Sequence, residues 1–93
     1  MDSIERVMIH FAGRVQGVGF RYTCRQLAKG FSITGMVKNL DDGRVELIAE
    51  GEKEEIESYL QALDQSHLKS FIRNRSIEWS PAQKDLNGFN IIH

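Results

Sequence analysis

Between residues 13 and 21 the chain reads Gly-Arg-Val-Gln-Gly-Val-Gly-Phe-Arg, with three glycines set among short apolar residues. Glycine lets the backbone turn sharply and aim successive N–H groups at one point, with no Cβ in the way. Apolar spacing from Phe20 onward starts a helix, whose first N–H groups have no partner within it and carry partial positive charge. Val15, Gln16, Gly17, Val18, Gly19 and Phe20 therefore read as a cradle for a phosphate-sized anion. Arg21 falls in the first helical turn, where its planar guanidinium can meet two phosphate oxygens at once.

Commoner phosphate motifs do not fit these positions. A Walker A loop needs Gly-Lys-Ser/Thr after its last glycine, and Gly19 is followed by Phe20 and Arg21. A dinucleotide fingerprint needs glycine or alanine where Tyr22 stands. A cysteine phosphatase would carry arginine six positions after Cys24, the place of Gly30, and no Asp-x-Asp pair offers an aspartyl nucleophile. The loop thus binds a phosphate without supplying a covalent attacker. Cys24 lies on the apolar stripe of the first helix and reads as an inert buried thiol. His10, His67 and His93 are scattered without ligand spacing, which argues against a metal.

The elements that must hold this loop follow from periodicity. Val7, Ile9 and Phe11 alternate with Met8, His10 and Ala12 as a largely buried first strand. Phe20, Cys24, Leu27, Ala28 and Phe31 mark one helical face, with Gly30 placed for a left-handed cap. Residues 34–39 and 44–50 predict two strands joined through Leu40-Asp41-Asp42-Gly43, a strong turn signal, with Gly51 ending the second. Met36 is expected in the core. Ile56, Tyr59, Leu60 and Leu63 give a second helix over 53–65. The acidic residues between Glu50 and Glu57 read as the start of that helix and its solvent face.

Residues 70–79 alternate as a partial strand, with Lys69, Arg73 and Arg75 as a basic patch on a solvated sheet face. Pro81 and the polar run to Gly88 form a loop, and 89–92 a short last strand. The order is βαββαβ with a small C-terminal strand added. Two right-handed crossovers place both helices on one face of an antiparallel sheet, an α+β fold of ferredoxin-like sandwich type.

The loop at 13–21 and the stretch Gly35-Met36-Val37-Lys38-Asn39-Leu40-Asp41-Asp42-Gly43-Arg44-Val45-Glu46 together resemble the two signatures of the acylphosphatase family. The resemblance is close over residues 5–63 and weaker beyond, where Phe89-x-Ile91 continues it. It implies hydrolysis of acyl phosphates, with Arg21 binding the phosphate and Asn39 holding the nucleophilic water. It also implies no metal or organic cofactor, and inorganic phosphate as product and competitive inhibitor. The chain departs from the family pattern at Phe31-Ser32-Ile33, at Met36, at Ser66-His67-Leu68 and at His93. Read without the family, Asn39 is also a residue that starts turns, while Gln16 and Gly43 shape the cradle and the hairpin.

Bulk properties narrow the classes further. Ninety-three residues fit one domain, 1–93, burying ~60–65% of its unfolded surface. A net charge of -1 with interspersed signs argues against nucleic acid as partner. One cysteine excludes an internal disulfide. Neither a signal peptide nor a stretch near the ~20 apolar residues of a membrane span is present, so a cytoplasmic protein without membrane association is expected. With no long apolar surface stripe left over, it is expected to be a monomer. Two other readings use the same fold. One is a binding module, for a small ligand in a regulatory role or for RNA on the open sheet, where the strands lack the paired aromatics RNA would need. An accessory domain of hydrogenase-maturation type would continue into zinc-binding cysteine motifs, whereas the chain ends at His93.

Overall fold

The computed structural model describes residues 3–93. In chain order the elements are β1 (Ile4–Gly13), α1 (Phe20–Ala28), β2 (Ile33–Asn39), β3 (Val45–Glu52), α2 (Lys53–Asp64), a 3₁₀ turn (His67–Phe71), β4 (Ile72–Pro81) and β5 (Phe89–Ile92). The sheet order is β4-β1-β3-β2-β5. Every pairing is antiparallel except the last, where β5 runs parallel to β2. Helices cover one face of the sheet, as the βαββαβ reading requires.

The core lies between that face and the helices. Val7, Ile9 and Phe11 of β1 stand opposite Ala49, Leu47 and Val45 of β3, and all six are fully buried. Phe20, Cys24 and Ala28 of α1 and Ile56, Tyr59, Leu60 and Leu63 of α2 close over them. Tyr59 brings a hydroxyl into this apolar layer and donates it to the Cys24 carbonyl at 2.7 Å, so no polar atom is stranded there. Burial pushes the neighbouring Cys24 thiol up to about 12, which keeps it un-ionised and inert. A Cβ at Gly35 would sit 2.5 Å from both the Ile48 carbonyl oxygen and the Phe89 ring. Only glycine lets Phe89 lie across β2, and with it β5 as a fifth strand.

Several local expectations change. Gly30 takes no left-handed conformation. Instead α1 tightens, with the N–H groups of Lys29, Gly30 and Phe31 donating three residues back to Gln26, Leu27 and Ala28. β3 runs through Gly51 to Glu52. Residues 67–71 form the 3₁₀ turn, so β4 begins later than expected and takes in Pro81. Met36 is not in the core. It lies half-buried on the face without helices, level with Ile48, while Val37 beside it fills the core.

The basic patch also divides. Arg75 stands opposite Phe11, turns toward the helices and meets Asp64 of α2 at 2.6 Å, while Arg73 is exposed. A register shift between Ala12 and Gly13 separates the two arginines from simple alternation.

Glu50 belongs to β3 rather than to a solvent-facing helix start. It is 4% exposed and accepts from Arg6 at 2.7 Å and from the N–H groups of Gln83 and Lys84 at 2.8 and 3.0 Å. Burial alone would raise its pKa, but the Gln83 N–H, the Arg6 guanidinium and the Lys84 N–H outweigh it and hold the carboxyl below its usual range. Its folded pKa lies below the unfolded ~4.3. The stabilisation is therefore fully present above that value and lost as pH falls through the folded pKa. Urea unfolding at pH 6, 4.5 and 3 should show a steeper acid loss in the parent than in Glu50→Gln. Parallel losses would show that another carboxylate governs acid stability.

Candidate active site

Three consecutive residues pin the loop after β1. The Arg14 N–H donates to the Phe71 carbonyl at 2.9 Å, and the Val15 side chain is buried at 1% exposure. Gln16 reaches across to the β2–β3 hairpin, its Nε2 donating to the carbonyls of Leu40 at 2.9 Å and Arg44 at 3.0 Å. One side chain thus ties the glycine loop to the turn after Asn39. That turn is itself closed by Leu40 N–H to the Arg44 carbonyl at 2.8 Å and by Asp42, which accepts from the Arg44 N–H at 3.1 Å.

Gly17 and Gly19 both take left-handed φ, 77° and 76°. A Cβ at either would meet nothing within 4 Å. Glycine is thus required there by conformation, which costs other residues roughly 1–2 kcal/mol, and the space in front of the loop stays open. Gly19 caps α1 without a side-chain hydrogen bond, and the first helical bond runs from the Thr23 N–H to the Gly19 carbonyl at 3.0 Å. The N–H groups of Phe20, Arg21 and Tyr22 are therefore the unpaired donors of the helix start. Phe20 is buried with its ring centroid 5.0 Å from that of Phe11, which fixes where this turn begins.

A cleft of about 160 Å³ opens in front of the loop. Val15, Gly17, Gly19, Phe20 and Arg21 line it from the loop and α1, and Asn39 lines it from the end of β2. Arg21 is half-buried, Asn39 is exposed, and neither side chain has an ion-pair or hydrogen-bond partner among the described residues. A cation, an amide and a row of N–H donors therefore share one small concave space. Such a set suits an oxyanion with tetrahedral oxygens.

Two residues expected in the cradle turn their side chains away from the cleft. Gln16 points to the hairpin, and Val18 packs half-buried against the core. Three others do line it without having been singled out as site residues: Tyr22, Ile91 and His93. Tyr22 was readable only as the neighbour of Arg21. Ile91 and His93 arrive through the parallel pairing of β5 with β2, which no local pattern announces. His10 faces Glu46 at 2.8 Å on the helix-free face, where Lys38 lies 3.8 Å from the same carboxylate. No group of three or more His, Cys, Asp or Glu side chains able to hold a metal ion occurs among the described residues. Nor is any helix among them long and apolar enough to cross a membrane.

The sheet order, the two helices on one face and the glycine loop at the first crossover define a ferredoxin-like α+β sandwich with an anion-suited cleft. Residues 7–91 match the acylphosphatase family model, and the chain belongs to that family. It is 37% identical over 87 residues to the acylphosphatase of Salinibacter ruber, an alignment covering 94% of this chain and 92% of that one. The acylphosphatase of Bacillus velezensis is 42% identical over 79 residues, covering 85% and 88%. Among solved structures, the acylphosphatase from Bacillus subtilis superposes with a TM-score of 0.86 at 36% identity, over 96% of this chain and 99% of that one.

Proposed function

We propose that this protein hydrolyses the carboxyl–phosphate bond of small acyl phosphates, without a metal or organic cofactor, as a monomeric enzyme of the cytoplasm. The observation that carries this reading is the convergence of Arg21, Asn39 and the glycine-loop backbone on one cleft, in a chain of the acylphosphatase family.

The substrate sets what the site must do. Carboxylate is a good leaving group, so neither a strong acid nor a metal is needed to expel it. Phosphoryl transfer then depends on positioning and on stabilising charge over the phosphoryl oxygens. Arg21 and the N–H groups of the Val15–Phe20 loop hold those oxygens. The Asn39 amide orients a water in line with the bridging P–O bond. As the water oxygen bonds to phosphorus, the bridging bond breaks and its electron pair leaves with the carboxylate. A phosphoryl oxygen takes the water proton, so no side chain need act as general base.

Inorganic phosphate, the product, fits the same cradle. Steady-state hydrolysis of benzoyl phosphate should show competitive inhibition by phosphate, with rates unchanged by EDTA. Purely noncompetitive inhibition would place phosphate elsewhere, and loss of activity in EDTA would bring a metal into the reaction.

A further inference from the structure

The cleft has an apolar wall that phosphate binding leaves without a task. Tyr22 follows Arg21 on α1, lines the same space and is 55% exposed, more than any other large hydrophobic side chain among the described residues. Its ring is not loose, because the Arg25 guanidinium lies 5.7 Å from its centroid, one turn farther along the helix face. Ile91 lines the cleft from β5. Parallel pairing sets Ile91 opposite Val37 and Ile92 opposite Lys38, so the same stagger brings His93 level with Asn39. His93 thus stands on the Asn39 side of the cleft, and Tyr22 and Ile91 add an apolar wall beyond the loop's own Val15 and Phe20.

An acyl phosphate has two halves. The phosphoryl half is claimed by Arg21 and the loop N–H groups, and the water that attacks it by Asn39. Neither an aromatic ring nor an isoleucine offers that half anything, but both suit a flat or branched hydrocarbon group. The cleft's volume of about 160 Å³ is that of one small molecule. We infer that Tyr22 and Ile91 form an acyl-group subsite that favours aromatic and branched apolar acyl phosphates over acetyl phosphate. This rests on the proposed acyl phosphate hydrolysis and adds a substrate class to it.

The test compares benzoyl phosphate with acetyl phosphate in the wild type, Tyr22→Ala and Tyr22→Phe. Exposure of Tyr22 makes both variants compatible with the fold. In Tyr22→Ala, kcat/KM for benzoyl phosphate should fall about three- to tenfold relative to that for acetyl phosphate. The inhibition constant of inorganic phosphate should hold, and Tyr22→Phe should keep the wild-type ratio, since the ring makes the contact. Equal falls for both substrates, or a matching rise in the phosphate constant, would overturn the subsite while leaving the hydrolase reading intact. Failure of the folded wild type to hydrolyse either compound would overturn both.

Discussion

Arg21→Ala is expected to lower kcat/KM for an acyl phosphate by about 10²–10³ or more while leaving the chain folded. The size of the effect follows from the site's composition. Among the described residues Arg21 is the one arginine or lysine lining the cleft, and no carboxylate pairs with it. Charge developing on the phosphoryl oxygens would then meet only backbone N–H groups. Arg21→Lys should recover only part of the loss, because an ammonium is a point charge that cannot span two oxygens as a guanidinium does. The inhibition constant for inorganic phosphate should rise in both variants. Thermal unfolding should stay close to the parent, since the fold is held by Phe20, Cys24 and Ala28 on the inner face of the same helix. Near wild-type turnover in Arg21→Ala would remove Arg21 from the mechanism.

The second large effect is expected at Asn39, and it should differ in kind. Asn39→Ala should reduce kcat by about 10², the scale on which lost positioning of a reactant is felt. The inhibition constant for phosphate should barely move. Asn39 is exposed at the end of β2, and the hairpin beside it is closed by bonds between other residues, from Leu40 to Arg44 and from Gln16 to both carbonyls. Little structure depends on its amide. A rise in the phosphate inhibition constant with kcat unchanged would reassign Asn39 from positioning water to binding the anion.

The contrast between these two residues shows what could be read in advance and what could not. Arg21 was legible from its place after three glycines at a helix start, where the local pattern already states the chemistry. Asn39 was legible from the chain alone only as a strand end before an Asp-Gly turn, and it needed a family resemblance to become a candidate. The core followed from alternation and helical spacing, because Val7, Ile9 and Phe11 have one face to bury. Met36 shares its face of β2 with Thr34 and Lys38, so alternation read over the whole strand, rather than the residue's own hydrophobicity, points to Val37 as the covered one.

Arg73 leaves the alternation that Arg75, Ile77 and Trp79 keep, and for another reason. A register shift at Ala12 and Gly13 decides which arginines of β4 turn inward, and that shift depends on the partner strand. Gln16 was readable as a shaping residue, but its two bonds to the distant hairpin are a tertiary fact. Tyr22 and Ile91 share a wall only because Phe89 crosses Gly35 and carries β5 alongside β2. Long-range pairing of this kind has no local period.

Hydrolysis of benzoyl phosphate in ¹⁸O-labelled water with EDTA present tests the central claim most directly. A water that attacks phosphorus in line with the bridging bond leaves its oxygen in the phosphate. The expected result is metal-independent turnover, with one labelled oxygen in inorganic phosphate and none in benzoate. Label in benzoate would mean attack on the acyl carbon and would contradict the roles given to Arg21 and Asn39. No turnover by the folded protein would contradict the hydrolase reading itself.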